Sequence, residues 1–256
     1  MRTILFALLA TTACSTNNGM TGDDDSGGGG GGVSDTDKQQ DYDDVASSIA
    51  ANLSAGELAT MLDAVNMAYG RMPEGYTITQ KTDYQLLDGT RGGLTVEYKL
   101  YCRDAADAVA PCDGAENHAH VRPTYSGSIT DGSDAIDGVQ RTTSWIVRST
   151  NLPTPFLGGT GTNSFTSHLG TGDYDLVVTD SMKDVVFAST PTTPTGGGTI
   201  TSTVNVQRTR PSSDPAQRSF GVTASILVTA SDTGALTLDG TRNYTLTFST
   251  GAVTNN

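Results

Sequence analysis

The sequence predicts a mainly β fold, an antiparallel curved sheet or partly closed barrel entered through an N-terminal helical pair. A two-sheet β-sandwich is the alternative. Three observations lead there. The 256 residues include 40 Thr, 22 Ser and 30 Gly, whereas Leu, Ile, Val and Phe together number only 49. Few large aliphatics among many threonines suit sheet with one wet face better than a deep core. From Tyr76 onward, apolar residues recur at period two. Asp-Gly pairs at 88–89, 131–132, 137–138 and 239–240 fall between these runs, where tight turns need positive φ.

The first 44 residues read as address and tether. Arg2 precedes the apolar run from Ile4 to Ala10, which is followed by Thr11, Thr12, Ala13 and Cys14. A run this short cannot span a bilayer, which takes about 20 apolar residues, but it suits a signal peptide over residues 1–13. Ala13 and Cys14 resemble the cleavage site of bacterial lipoproteins, although Thr11 stands where that family usually has Leu. The resemblance implies that Cys14 carries a thioether-linked diacylglycerol and becomes the first mature residue. The membrane is then a partner through the N-terminal lipid, and the chain belongs to the cell envelope. Ser15 after the cysteine implies the outer membrane in this family.

Residues 14–44 contain Asp23, Asp24 and Asp25, six consecutive glycines from Gly27 to Gly32, and Asp35, Asp37, Asp41, Asp43 and Asp44. Eight acids against the single Lys38 repel one another on a flexible chain, which predicts a disordered tether up to residue 44. Residues 45–256 form the expected single domain.

Its helical entry spans 45–70. Val45, Ile49 and Leu53 share one face of a first helix ending near Asn52. Ser54 and Glu57 have capping-box spacing, and Leu58, Met61, Leu62, Val65 and Tyr69 follow at helical steps until Gly70 and Pro73. The clearest strand alternates Leu94, Val96, Tyr98, Leu100 and Cys102 with polar neighbours. Similar runs begin at Ile200 and Phe220, and a last hairpin turns at Asp239-Gly240. Nine or ten strands are expected between 76 and 250, with a long loop from Pro191 to Gly198.

A formal charge of −13 argues against nucleic acid as a partner, since phosphate binding needs clustered Lys and Arg. With Cys14 lipidated, Cys102 and Cys112 remain to form a disulfide in an oxidising compartment. The weak metal candidates are His118 and His120, two apart on one strand face, with Glu116 or Asp113 as an oxygen ligand. A solvated polar run explains the same residues. Asp173 and Asp175 share a strand face as paired carboxylates would, but also as a wet edge would. His168 stands apart from the other two histidines in sequence. Ser164 lacks the second glycine of a nucleophile elbow, and neither the Gly27–Gly32 nor the Gly196–Gly198 run ends in Lys-Ser/Thr. No catalytic residue, metal or cofactor is therefore expected. The expected function is a non-catalytic binding or structural role, with a partner protein or a small apolar ligand. A carrier of an apolar ligand in a curved sheet is the alternative, and a metal-assisted hydrolase the least favoured.

Overall fold

The computed structural model describes residues 33–256 apart from 105, 114–117 and 132–133. The expected signal peptide, Cys14, the glycine run and Glu116 lie outside the described residues.

Helix α1 spans Asp35–Asn52, so the expected tether does not extend to residue 44. Ser34 caps it by accepting the Asp37 amide, and Asp35 and Asp37 place negative charge in the first turn, where the helix dipole favours it. Asp37, Asp41 and Asp44 recur at steps of four and three, which puts them on one helix face. That face meets arginines, and these acids are held by partners instead of repelling one another. A π turn at Leu53–Glu57 joins α1 directly to α2 (Leu58–Ala68). Ser54 caps nothing, and the two expected helices form one continuous run. Glu57, free of a capping role, faces the sheet.

The strands are β1 (Thr77–Gln80), β2 (Gln85–Arg91), β3 (Leu94–Arg103), β4 (His118–Asp131), β5 (Asp134–Arg148) and β6 (Phe156–Leu169). They continue as β7 (Gly172–Phe187), β8 (Pro194–Gly196), β9 (Thr199–Thr209), β10 (Gln217–Ala230), β11 (Thr233–Leu238), β12 (Arg242–Thr247) and β13 (Val253–Asn255). All thirteen belong to one antiparallel sheet, with β8 lying beside β7 within the Pro191–Gly198 segment expected as loop. The sheet is not closed, and β1 and β13 are its edges. The surplus over nine or ten strands comes from β1, β8 and β13, each of three or four residues. A single sheet replaces the sandwich alternative.

Turn chemistry follows the sequence in part. Asp239 and Gly240 have φ of 47° and 70°, paired positive values at the centre of the turn that the Thr241 amide closes by donating to the Leu238 carbonyl, within a three-residue loop between Leu238 and Arg242. Asp88 and Gly89 instead sit inside β2, and Asp137 and Gly138 occupy a bulge within β5.

The sheet curls around the helical run. Gly56 packs on Ile129 of β4 and Leu94 of β3, while Gly251, in the β12–β13 turn, packs on Ala50, Ala51 and Ser54. Ala50 and Gly56 are about 9 Å apart along the helix. Yet β4 and β13 are eight strand steps apart, about 38 Å if the sheet were flat. Only a sheet bent around the helix brings both to the same place. The inside is filled by Trp145, Tyr98, Tyr174, Tyr244, Phe187 and Phe248 together with the helix side chains, all in one hydrophobic cluster. Cys102 and Cys112 are disulfide-bonded with Cα atoms 5.3 Å apart, tying β3 to the loop that follows it.

Three polar clusters dock the helix. In the first, Asp41 meets Arg208 at 3.0 Å, Arg210 at 2.6 Å and Arg218 at 2.7 Å, while Asp44 lies 3.1 Å from Arg210. Asp37 reaches Arg210 at 3.3 Å, and Tyr174 donates to Asp44. In the second, Arg141 is buried between Glu57 and Asp180, the latter 2.9 Å away. Gly161 leaves room for it, since a Cβ there would lie 2.9 Å from the guanidinium and 3.2 Å from Asp180. In the third, Asp63 takes Arg91 at 2.5 Å and the Tyr98 hydroxyl at 2.9 Å.

The charge balance of these clusters differs. Three acids face three arginines in the first, and one faces one in the third, but Arg141 alone serves two carboxylates. Burial, with Asp180 close by, raises the Glu57 pKa to about 7 from its ordinary 4.5, against the opposing pull of Arg141. A carboxyl with a raised folded pKa stabilises the fold below its unfolded pKa and loses that contribution as pH rises through the folded one. Chemical denaturation of the wild type and Glu57→Gln should therefore diverge between pH 4.5 and 7. The wild type should lose stability relative to the variant as pH rises, by at most about 1.4 kcal/mol per unit. A pH-independent difference would show that Glu57 is ionised throughout. Asp41→Ala, which strips the buried Arg208 of its carboxylate, should cost about 3–5 kcal/mol in the same assay.

Candidate functional site

The alternation that fills the inside also builds the outside. Along β7, every second residue from Asp173 to Ser181 is exposed while Tyr174, Leu176, Val178 and Asp180 point inward. The register then aligns hydroxyls across the sheet. Thr124, Thr142, Thr162, Thr179, Thr203 and Thr223 are direct cross-strand neighbours over β4, β5, β6, β7, β9 and β10. One step along each strand, Ser144, Thr160, Ser181, Thr201, Ser225 and Thr237 form a second row over β5 to β11. Neighbours within a row are about 4.8 Å apart and the rows about 7 Å apart. Open depressions of about 560, 620 and 550 Å³ lie along these rows.

Toward β3, the same face becomes cationic and aromatic. Lys99 pairs across with Arg122, Tyr101 with His120, and Arg103 with His118; His120 and His118 face Ile146 and Arg148 on the other side. The Arg122 guanidinium lies 5.1 Å from the Tyr101 ring centre, and Tyr84 stands 5.2 Å from that ring. The acids here are peripheral. Glu97 lies 3.3 Å from Lys99, Asp107 3.6 Å from His118 and Asp184 3.5 Å from Arg148. Among the described residues, no carboxylate pairs with Arg103 or Arg122.

The residues singled out from sequence divide clearly. His118 and His120 do share a face, their ring centres 5.2 Å apart edge to face. Among the described residues, no group of three or more His, Cys, Asp or Glu is placed to hold a metal ion. Their surroundings are arginines: burial, then His118, Arg122 and Arg103, lower the His120 pKa. Asp173 and Asp175 share the wet face as expected, but each is engaged elsewhere. Asp175 accepts from Thr166 at 2.6 Å, and Asp173 holds His168 Nδ1 at 2.8 Å while Asp137 takes Nε2 at 3.2 Å. Ser164 lines one of the open depressions. The rows of hydroxyls and the cationic end were not visible in sequence. Alternating Thr was, but which threonines stand side by side depends on strand register.

His168, hydrogen-bonded by Asp173 and faced by Asp137, has its pKa raised, whereas that of His120 is lowered. In an NMR titration of the imidazole resonances, His168 should titrate above 6.5 and His120 below it. Asp173→Asn should bring His168 down while leaving His120 in place, and coincident midpoints would contradict these surroundings.

No family model, curated protein or solved structure matches this chain.

Proposed function

We propose that the chain is a lipid-anchored protein of the bacterial cell envelope whose role is non-catalytic binding through the wet face of its sheet. The observation that carries this reading is the pair of hydroxyl rows, which runs unbroken over six strands each with depressions along it. The anchor rests on the resemblance of residues 1–14 to lipoprotein signals, Cys14 being the modified residue. Ser15 after that cysteine supports the outer membrane, with the domain facing periplasm or exterior. The helical run occupies the inside of the curl, with its acids paired to sheet arginines, which supports binding on the outside over carriage of an apolar ligand within. No helix of the described residues is long and apolar enough to cross a membrane.

The anchor is tested by intact mass. Protein extracted in detergent from the membranes of a lipoprotein-processing host should begin at Cys14 and carry diacylglycerol and acyl mass. A soluble chain cut elsewhere, or an uncut one, would overturn the anchored reading.

A further inference from the structure

Chemistry is unevenly distributed over the outer face. Of the 15 Lys and Arg in a chain of net charge −13, four (Lys99, Arg103, Arg122 and Arg148) stand on the wet side of three neighbouring strands. Other arginines, among them Arg141, Arg208 and Arg210, are buried against helix carboxylates. The four are therefore not needed to hold the helix. Arg122 is exposed, Lys99 and Arg103 half-exposed, and Arg103 and Arg122 are free of carboxylate partners among the described residues. Holding like charges together costs free energy unless an anion joins them. Burial is the first cause of the lowered His120 pKa, and His118, Arg122 and Arg103 add to it.

Tyr101 and the hydroxyl rows define the rest of the ligand. A depression of about 620 Å³ is shared by Lys99, Tyr101, Arg122, Thr142, Ser144 and Thr162. A neighbouring one of about 370 Å³ is lined by His118, His120, Ile146, Arg148 and Ser149. Guanidinium groups bind carboxylates in a planar fork, an aromatic ring accepts the C–H face of a sugar, and serine and threonine exchange hydrogen bonds with sugar hydroxyls as donor or acceptor. The cations occupy two rows, Lys99 with Arg122 and Arg103 with Arg148, held about 14 Å apart by the Tyr101–His120 row between them, which suits carboxylates spaced along a chain better than a single dianionic phosphate.

We propose that the β3–β5 end of this face binds an acidic saccharide chain, its carboxylates at Arg122 and Arg103, a sugar ring at Tyr101 and its hydroxyls along the threonine rows. The assignment rests on the reading of the wet face as the binding surface and names what that surface takes.

The test is calorimetric titration of the full processed chain, in detergent at low ionic strength, with a galacturonic acid hexamer. Its fully methyl-esterified form, inorganic phosphate and an oligodeoxythymidylate serve as comparison probes. The acid hexamer should bind at least tenfold more tightly than the ester. Arg103→Gln with Arg122→Gln should abolish that difference, and Thr142→Val with Thr162→Val should weaken both forms. These side chains point outward, and an unchanged circular dichroism spectrum and melting curve confirm the fold of each variant. Equal binding of acid and ester would overturn the acidic assignment while leaving a neutral binding face. Displacement of the hexamer by equimolar phosphate, or tighter binding of the oligodeoxythymidylate, would overturn the saccharide. Binding of none of the probes would overturn the proposal without touching the anchor, which the mass measurement decides separately.

Discussion

Arginines on the inward face of a sheet must each meet a carboxylate, because an unpaired guanidinium among hydrophobic side chains is too costly to keep. Arg141, Arg208 and Arg210 stand in that position, with Arg91 and Arg218 at the margin, and the carboxylates come chiefly from one helical run. Asp41 answers Arg208 of β9 and Arg218 of β10, Asp44 answers Arg210 just beyond β9, Glu57 answers β5, and Asp63 answers β2. Sliding the helix by one residue would turn each of these acids about 100° away from its partner. Apolar packing alone would tolerate neighbouring registers; the ion pairs do not. They fix which strands the helix touches, hence how far the sheet must curl, and so which side chains are left outside.

The wet face is the consequence of that curl and of strict alternation. Once Arg141, Thr143 and Trp145 point inward on β5, Thr142, Ser144 and Ile146 must point out, and the same holds strand by strand. Threonine serves both needs: its branched Cβ suits the extended backbone and its hydroxyl tolerates water. Much of its abundance is explained by sheet formation alone. The arginines, lysine and tyrosine at the β3–β5 end are not, since strand propensity asks for none of those charges.

The fold class was legible because period-two alternation and turn residues are local signals. Leu94 to Cys102 and the Asp239-Gly240 hairpin needed only their own neighbours to be read. Asp35 to Asp44 misled for the same reason. Read locally, the acids are a solvated, self-repelling stretch, because what neutralises them lies more than 160 residues away in β9 and β10. A clue was present in their steps of four and three, continued by Ser48, which put a polar stripe on one helix face. Ser54 and Glu57 likewise have the spacing of a cap, yet the pull of Arg141 on Glu57 and the unbroken packing of Leu53 and Leu58 carry the helix straight through as a π turn. For the candidate site, the residue types were visible but their adjacency was not. Tyr101 beside His120 and Arg103 beside His118 are facts of register, and register is set by the whole sheet.

The distance in sequence between Asp41 and Arg208 also bears on the order in which the chain is assembled. Strand pairing in a meander is local, so each hairpin can close once its second strand is available. The helix is made first, yet the arginines that neutralise its N-terminal half are made in the last fifth of the chain. Until then Asp37, Asp41 and Asp44 have no arginine to meet, although Asp63 and Glu57 can already engage Arg91 and Arg141. Docking of the N-terminal half of the helix is thereby postponed to the last strands, and a chain lacking β9 and β10 leaves Asp37, Asp41 and Asp44 without the arginines that hold them.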